Sequence, residues 1–185
     1  MANLSPTLVC SNCTGGFLYH WLGLQFRSPF INLYMTNEDF LTALEHWDEF
    51  LKADIKEVTD SGYDYPVGES IEGTLIHFVH YDSFSSAVAK WNERRARMDS
   101  GNMGIMLTNW DGDVSILERF DRLPFLHKVA FVDKPYPQFK SAFCLKGFGG
   151  VKGVKNIYAT QHLSGKRYID QFDYVSFMNS LKTQL

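Results

Sequence analysis

Short apolar runs alternate with helical periodicities along most of this chain. Thr7 to Cys10 reads as a buried strand, and Gly15 to Leu24 carries Phe17, Leu18, Trp21 and Leu22 at helical spacing. Pro29 to Met35 alternates through Phe30, Ile31, Leu33 and Met35 and predicts a second strand. Thr36-Asn37-Glu38-Asp39 is a helix start, a capping hydroxyl or amide ahead of acids in the first turn. Phe40, Leu44, Trp47 and Leu51 then share a face, which carries this helix to about Lys52. Asp54 to Val58 predicts another short strand.

Asp60 to Gly73 is irregular, broken by Ser61-Gly62, Tyr65-Pro66 and Gly68. Thr74 to Tyr81 is β-prone, Ser83 to Met98 helical, Gly104 to Thr108 a strand and Val114 to Phe120 a short helix. Lys128 to Val132 and Ser141 to Leu145 predict further strands, and Tyr168 to Leu181 a closing helix. Strands that alternate with helices predict an α/β chain: a single three-layer domain over residues 1–185, with a mainly parallel central sheet flanked by helices. Ligands in such sheets sit beyond the strand C-termini. The polar junctions after Cys10, Phe78 and Thr108 are therefore expected along one edge.

Composition narrows the function classes. A net charge of −3 gives no field for nucleic acid or anionic lipid, so neither partner is expected. No run approaches the roughly 18 apolar residues of a membrane helix, and the first residues lack the basic and apolar regions of a secretory signal. Three cysteines, an odd number, argue for reduced thiols and a cytoplasmic protein. Aromatics make up 15% of the residues, enough to fill a core and still leave rings to stack on sugars.

The candidate chemistry starts at Asn12-Cys13-Thr14-Gly15-Gly16, a polar turn that ends a strand and opens a helix. A helix N-terminus favours a thiolate, so Cys13 is the candidate nucleophile. Asn12 and the amides of Gly15 and Gly16 are candidates to hold an oxyanion, the glycines letting backbone approach a ligand. Cys10, three positions earlier, belongs to the strand and the core, which weakens a redox or zinc reading of the C-x-x-C pair. His80 ends a strand and is the candidate general base, with His77 a candidate binding residue on the alternate face. Asp111 follows the strand ending at Thr108 and is suited to orient an imidazole. Asp111 and Asp113 also form a D-x-D, the pair by which glycosyltransferases hold a divalent metal against a nucleotide sugar.

Arg94, Arg95 and Arg97 cluster on the Ser83 to Met98 helix, near Lys90, and offer a cofactor phosphate a basic stripe. Gly147 to Gly153 fails the dinucleotide spacing, because Lys152 stands where the third glycine belongs, and reads as a loop.

Ser11-Asn12-Cys13 with Gly15-Gly16, Leu22-Gly23-Leu24 and Ser28-Pro29 resemble the opening of a bacterial domain-of-unknown-function family described as exopolysaccharide biosynthesis proteins. The likeness continues through Tyr65-Pro66-Val67-Gly68, His77-Phe78-Val79-His80-Tyr81, Lys90-Trp91-Asn92-Glu93-Arg94-Arg95 and Asp111-Gly112. It runs on through Phe120-Asp121-Arg122-Leu123-Pro124-Phe125 to Tyr136-Pro137 and Lys140-Ser141. The Asn12-Cys13 turn is also similar, over a shorter stretch, to a capsule-locus family that binds coenzyme A and transfers acyl groups. Thr14 stands where tryptophan is usual, and Asn109 replaces an acid before the Asp-Gly pair, which counts against a metal carboxylate site. The resemblance implies exopolysaccharide or capsule biosynthesis. The expected activity is acyl transfer to a sugar or polysaccharide precursor, with Cys13, His80 and Asp111 catalytic and coenzyme A the acyl donor. The alternatives are a metal-dependent nucleotide-sugar glycosyltransferase using Asp111 and Asp113, and a non-catalytic carbohydrate-binding protein.

Overall fold

A computed structural model describes residues 5–148, 151–161 and 165–181. Residues 1–4 at the N-terminus, and Gly149 and Gly150 of the glycine-rich loop, lie outside the described residues. The strongest sequence signals, the continuous apolar runs, form the centre of a parallel sheet. Its strands are β1 (Thr7–Cys10), β5 (Met103–Thr108), β6 (His127–Val132) and β7 (Ala142–Cys144), in the spatial order β1-β5-β6-β7. All three pairings are parallel, with Val9 opposite Ile105 and Met106 opposite Val129.

Continuous apolar runs suit this sheet because both of its faces are covered. Val9, Ile105, Leu107, Ala130 and Val132 point into a core shared with α2 (Asn37–Glu45), α4 (Phe84–Arg95) and α5 (Val114–Arg122). Their sequence neighbours Leu8, Cys10, Met106, Val129 and Phe131 enter a second core, with α1 (Thr14–Trp21), α6 (Tyr174–Ser180) and Leu145, Val154, Ile157 and Ile169. The period-two alternation of each strand divides its side chains between the two cores.

The predicted helix over residues 36–52 is two helices. Thr36 caps α2 as expected, its hydroxyl accepting from Asp39 N (3.1 Å). The chain then turns at His46, whose φ of −111° and ψ of 38° are not helical, and restarts as α3 (Trp47–Lys52). The closing helix is also divided, a 3-10 turn over Tyr168–Gln171 preceding α6. Pro29 to Met35 forms no named strand; Tyr34 alone bridges to His77.

A second, antiparallel sheet joins two of the predicted strands, those within Asp54 to Val58 and Thr74 to Tyr81, through a third that the pattern did not predict. It consists of β2 (Lys56–Glu57), β3 (Val67–Glu69) and β4 (Leu75–His77), in that order. β3 falls inside the stretch read as irregular, and β4 is much shorter than the predicted Thr74 to Tyr81. Gly68, which reads as a breaker, is a strand residue: a Cβ there would stand 2.3 Å from Ile55 Cγ2.

Candidate active site

Three distant chain junctions meet at one place. Past the end of β1, Ser11 N donates to Met106 O and Ser11 O accepts from Met35 N. Ser11 Oγ accepts from Thr108 N (3.1 Å). Tyr34 and His77 exchange both backbone hydrogen bonds, which ties the end of β4 to the same corner. The junctions enclose a cleft of about 490 Å³, within the size range of small-molecule sites. Asn12, Cys13, Val79, His80, Trp110 and Asp111 line it, with Tyr34 to Asn37 and Tyr158 completing the wall. The expectation that the ends after Cys10, Phe78 and Thr108 converge describes this cleft, although His80 follows a strand of the smaller sheet.

Cys13, His80 and Asp111 thus share a cavity. Cys13 sits at the N-cap of α1, and its Sγ donates to Leu33 O (3.7 Å). Burial pushes its thiol above the usual cysteine value, opposite to the shift expected of a helix N-terminus. Desolvation of the thiolate outweighs the opposing hydrogen bond from its own backbone N–H. Among the described residues no hydrogen bond links Cys13, His80 and Asp111 to one another.

Asn12 has a different role from the one expected. Its Oδ1 accepts from Thr14 N (3.0 Å) and Thr14 Oγ1 (2.6 Å), and its Nδ2 donates to Thr108 Oγ1 (3.0 Å). Both ends of the amide are engaged in clamping the β1–α1 turn to β5, so it is not poised for an oxyanion. Gly15 is a packing residue: a Cβ there would stand 2.8 Å from Cys10 Sγ. Cys10 itself is a core thiol, pushed up to about 12 by burial. All three cysteines are unpaired.

His77 does not line the cleft. It is buried behind Tyr34, stacked at 4.3 Å between ring centroids, with Tyr65 Oη 3.5 Å from its Nδ1. Burial lowers its pKa, against a smaller opposite pull from Asp39. The arginine stripe is likewise turned to internal partners. Arg94 is buried and donates to Tyr81 Oη (2.7 Å) and Ile31 O (3.3 Å). Arg95 donates to Leu51 O (2.7 Å), and Arg97 to Phe26 O (3.2 Å) and Arg27 Nε returns to Arg97 O. None of the three lines the cleft, so the expected phosphate stripe is not there. These arginines do not fit the phosphates of coenzyme A.

Asp113 also does something else. Its Oδ1 accepts from Ser115 N (2.9 Å) as the cap of α5, and that bond holds its pKa low. Only Asp111 of the pair lines the cleft. Among the described residues no group of three or more His, Cys, Asp or Glu side chains is arranged to hold a metal ion.

Tyr34, Asn37 and Tyr158 were missed as site residues. Asn37 was read only as part of a helix start. With its amide oriented to satisfy both ends, it donates to Thr108 O (3.0 Å) and accepts from Trp110 N (3.2 Å), fixing the cleft floor. Among the described residues Trp110 Nε1 is buried without a hydrogen-bond partner, an unmade bond on a residue of the cleft wall. Tyr158 is held by Phe17, stacked at 4.6 Å, and no sequence signal marks it.

The family described as "Domain of unknown function (DUF1919)" matches residues 1–179. An uncharacterized protein of Haemophilus influenzae is 42% identical over 180 residues, which cover 97% of this chain and 86% of that protein. The chain belongs to the DUF1919 family. Among the described residues no helix is long and apolar enough to cross a membrane.

Proposed function

We propose that this protein is an acyltransferase of exopolysaccharide assembly, acting in the cytoplasm on a hydroxyl of a sugar or polysaccharide precursor. One observation carries the reading: Cys13, His80 and Asp111 reach the same cleft from three junctions far apart in the chain. The acceptor class rests on the residues that resemble exopolysaccharide proteins. The compartment rests on the three free thiols.

Because burial keeps the Cys13 thiol protonated, a base has to take its proton, and His80 is the imidazole in the cleft. The sulfur attacks the carbonyl of an activated acyl donor; the new C–S bond forms as the donor's ester bond breaks. The leaving group departs with the proton that His80 holds. An acceptor hydroxyl then gives its proton to His80 and attacks the thioester, so a C–O bond forms and the C–S bond breaks. Cys13 regains its proton, and Asp111 orients the imidazole and stabilises its charged form. No step is routed through coenzyme A, whose phosphates the three arginines do not fit; the donor is defined only as an activated ester or thioester.

A second reading, non-catalytic carbohydrate binding, is favoured by the rings of Tyr34, Trp110 and Tyr158 in the same cleft. The nucleotide-sugar alternative loses support from the capping role of Asp113. The test uses an acetyl thioester with a panel of sugars, product esters being detected by mass spectrometry. Wild-type protein should form a sugar ester and folded Cys13→Ala should not. Ester formation at an undiminished rate in Cys13→Ala overturns the mechanism, and sugar binding without any ester supports the second reading.

A further inference from the structure

Cys13 and His80 also line a second, smaller cavity of about 210 Å³, and they are the two residues common to both linings. The partition beside them is a stacked pair, Phe17 from the smaller cavity against Tyr158 from the larger. The two spaces are both mainly apolar and differ in the groups they present. The larger presents Asn12, Thr36, Asn37 and Asp111 among aromatic rings, the mixture of polar groups and flat faces that suits a sugar. The smaller is lined by Phe17, Phe26 and the bare backbone of Gly16, with His20 and Asn32 as polar groups beside Cys13 and His80.

Size separates them as well. The larger falls inside the roughly 300–1,000 Å³ of small-molecule sites, and the smaller falls below it, as a pocket for part of a substrate would. Its Phe26 wall is fixed from behind: Arg94 lies 5.4 Å from the Phe26 ring centroid, and Tyr19 meets that ring edge-on.

Resting on the acyl-transfer reading above, we propose that the smaller cavity holds the acyl chain of the donor while the larger holds the sugar. Cys13 then stands at the boundary, able to take an acyl group from one side and pass it to the other. Phe17, Phe26 and Gly16 narrow this cavity and make the protein favour short, unbranched acyl groups.

The probe is a series of p-nitrophenyl esters, acetate, butanoate and octanoate, with intact-protein mass spectrometry of Cys13 acylation. In each reaction the thiol's proton leaves with p-nitrophenol as the C–S bond replaces the C–O bond. Acetate and butanoate should acylate Cys13 about tenfold or more faster than octanoate. Cys13→Ala sets the background. Gly16→Val should lower butanoate more than acetate by filling the cavity. Half-exposed Phe17→Ala, the milder change, should raise octanoate relative to acetate. Equal rates across the series, unmoved in either variant, overturn the chain-pocket assignment while leaving Cys13 acyl transfer intact. If none of the esters acylates Cys13 although iodoacetamide alkylates it, acyl transfer fails and the assignment falls with it.

Discussion

The main chain of Gly153 lies so close to Trp110 that a Cβ on the glycine would stand 2.0 Å from the Trp110 carbonyl oxygen. Gly112 meets Gly153 in the same way, its own Cβ position 2.8 Å from Gly153 N, and both have positive φ. Val154 N donates to Asn109 O (2.9 Å), and Gly153 N to Asp133 Oδ2 (3.3 Å). Backbone packed on backbone therefore fixes the turn that presents Trp110 and Asp111 to the cleft. Gly153→Ala should cost about 3 kcal/mol, from left-handed strain and displaced main chain together. Gly62 is the control, with a φ of +73° and nothing within 4 Å of its Cβ position. Gly62→Ala should cost only about 1 kcal/mol. Equal losses in urea unfolding would show that the contact carries no weight.

Gly15 and Gly16 should respond in opposite directions. A methyl at Gly15 collides with Cys10 Sγ at 2.8 Å, whereas one at Gly16 meets Ile31 Cγ2 at 3.5 Å and Asn32 Oδ1 at 3.8 Å, both ordinary contacts. Gly15→Ala should destabilise by about 1–3 kcal/mol through overpacking. Gly16→Ala should stabilise α1 by about 0.5–1 kcal/mol, the ordinary helix preference. Adding Cys10→Ala to Gly15→Ala should recover part of that loss. Strict additivity in the double mutant, measured by unfolding, would refute the contact.

The same neighbourhood shows how far the sequence can be read. β1, β5 and β6 were legible because their residues are buried on both faces and leave continuous apolar runs. Cys13, His80 and Asp111 were legible as cleft residues because polar groups end those runs, or the run before His80. β3 was not, since three residues carry no period and its glycine imitates a breaker. The roles of Asn12 and the arginines were misjudged for another reason. A polar side chain near a site is also the nearest partner for orphaned backbone, and spacing does not say which use prevails. Tyr158 enters from a segment without regular structure, placed by stacking on Phe17.

Arg94 should prove structural. Its guanidinium is buried on Ile31 O and Tyr81 Oη, so Arg94→Ala takes the donor from Tyr81 Oη and one of two donors from Ile31 O, which still accepts from Tyr81 Oη. A loss of about 2–4 kcal/mol is expected. Arg94→Lys should recover less than half of it, because one ammonium does not reproduce the planar fork. Thermal unfolding measures both. A variant of unchanged stability that had lost binding to an anionic ligand would restore the phosphate role.

His77 should make folding sensitive to mild acid. Its folded pKa lies below the ordinary value because burial disfavours the imidazolium. The unfolded chain takes up a proton as pH falls through about 6.5, before folded His77 does. Stability from this group is therefore complete above that pH and declines until the folded value is passed. His77→Phe, which retains a ring to stack on Tyr34, should flatten this part of the pH profile. Urea midpoints at about pH 7.5 and about pH 5.5 compare the two proteins. An identical decline in both would assign the sensitivity to other groups.

The Cys13 thiol provides the sharpest test of the chemistry. Burial raises its pKa, so the free protein should hold little thiolate at neutral pH. Iodoacetamide alkylation should accelerate with pH, with a midpoint above the roughly 8.5 of an unperturbed cysteine. Acyl transfer should behave differently, because it draws on His80 to remove the proton during attack rather than on a standing thiolate. Its rate should therefore already be substantial at pH values where alkylation is still slow. His80→Ala should lower acylation about 100-fold or more while leaving the alkylation midpoint within experimental error. Two coincident pH profiles would mean that the thiolate alone reacts, and His80 would lose its place as the base.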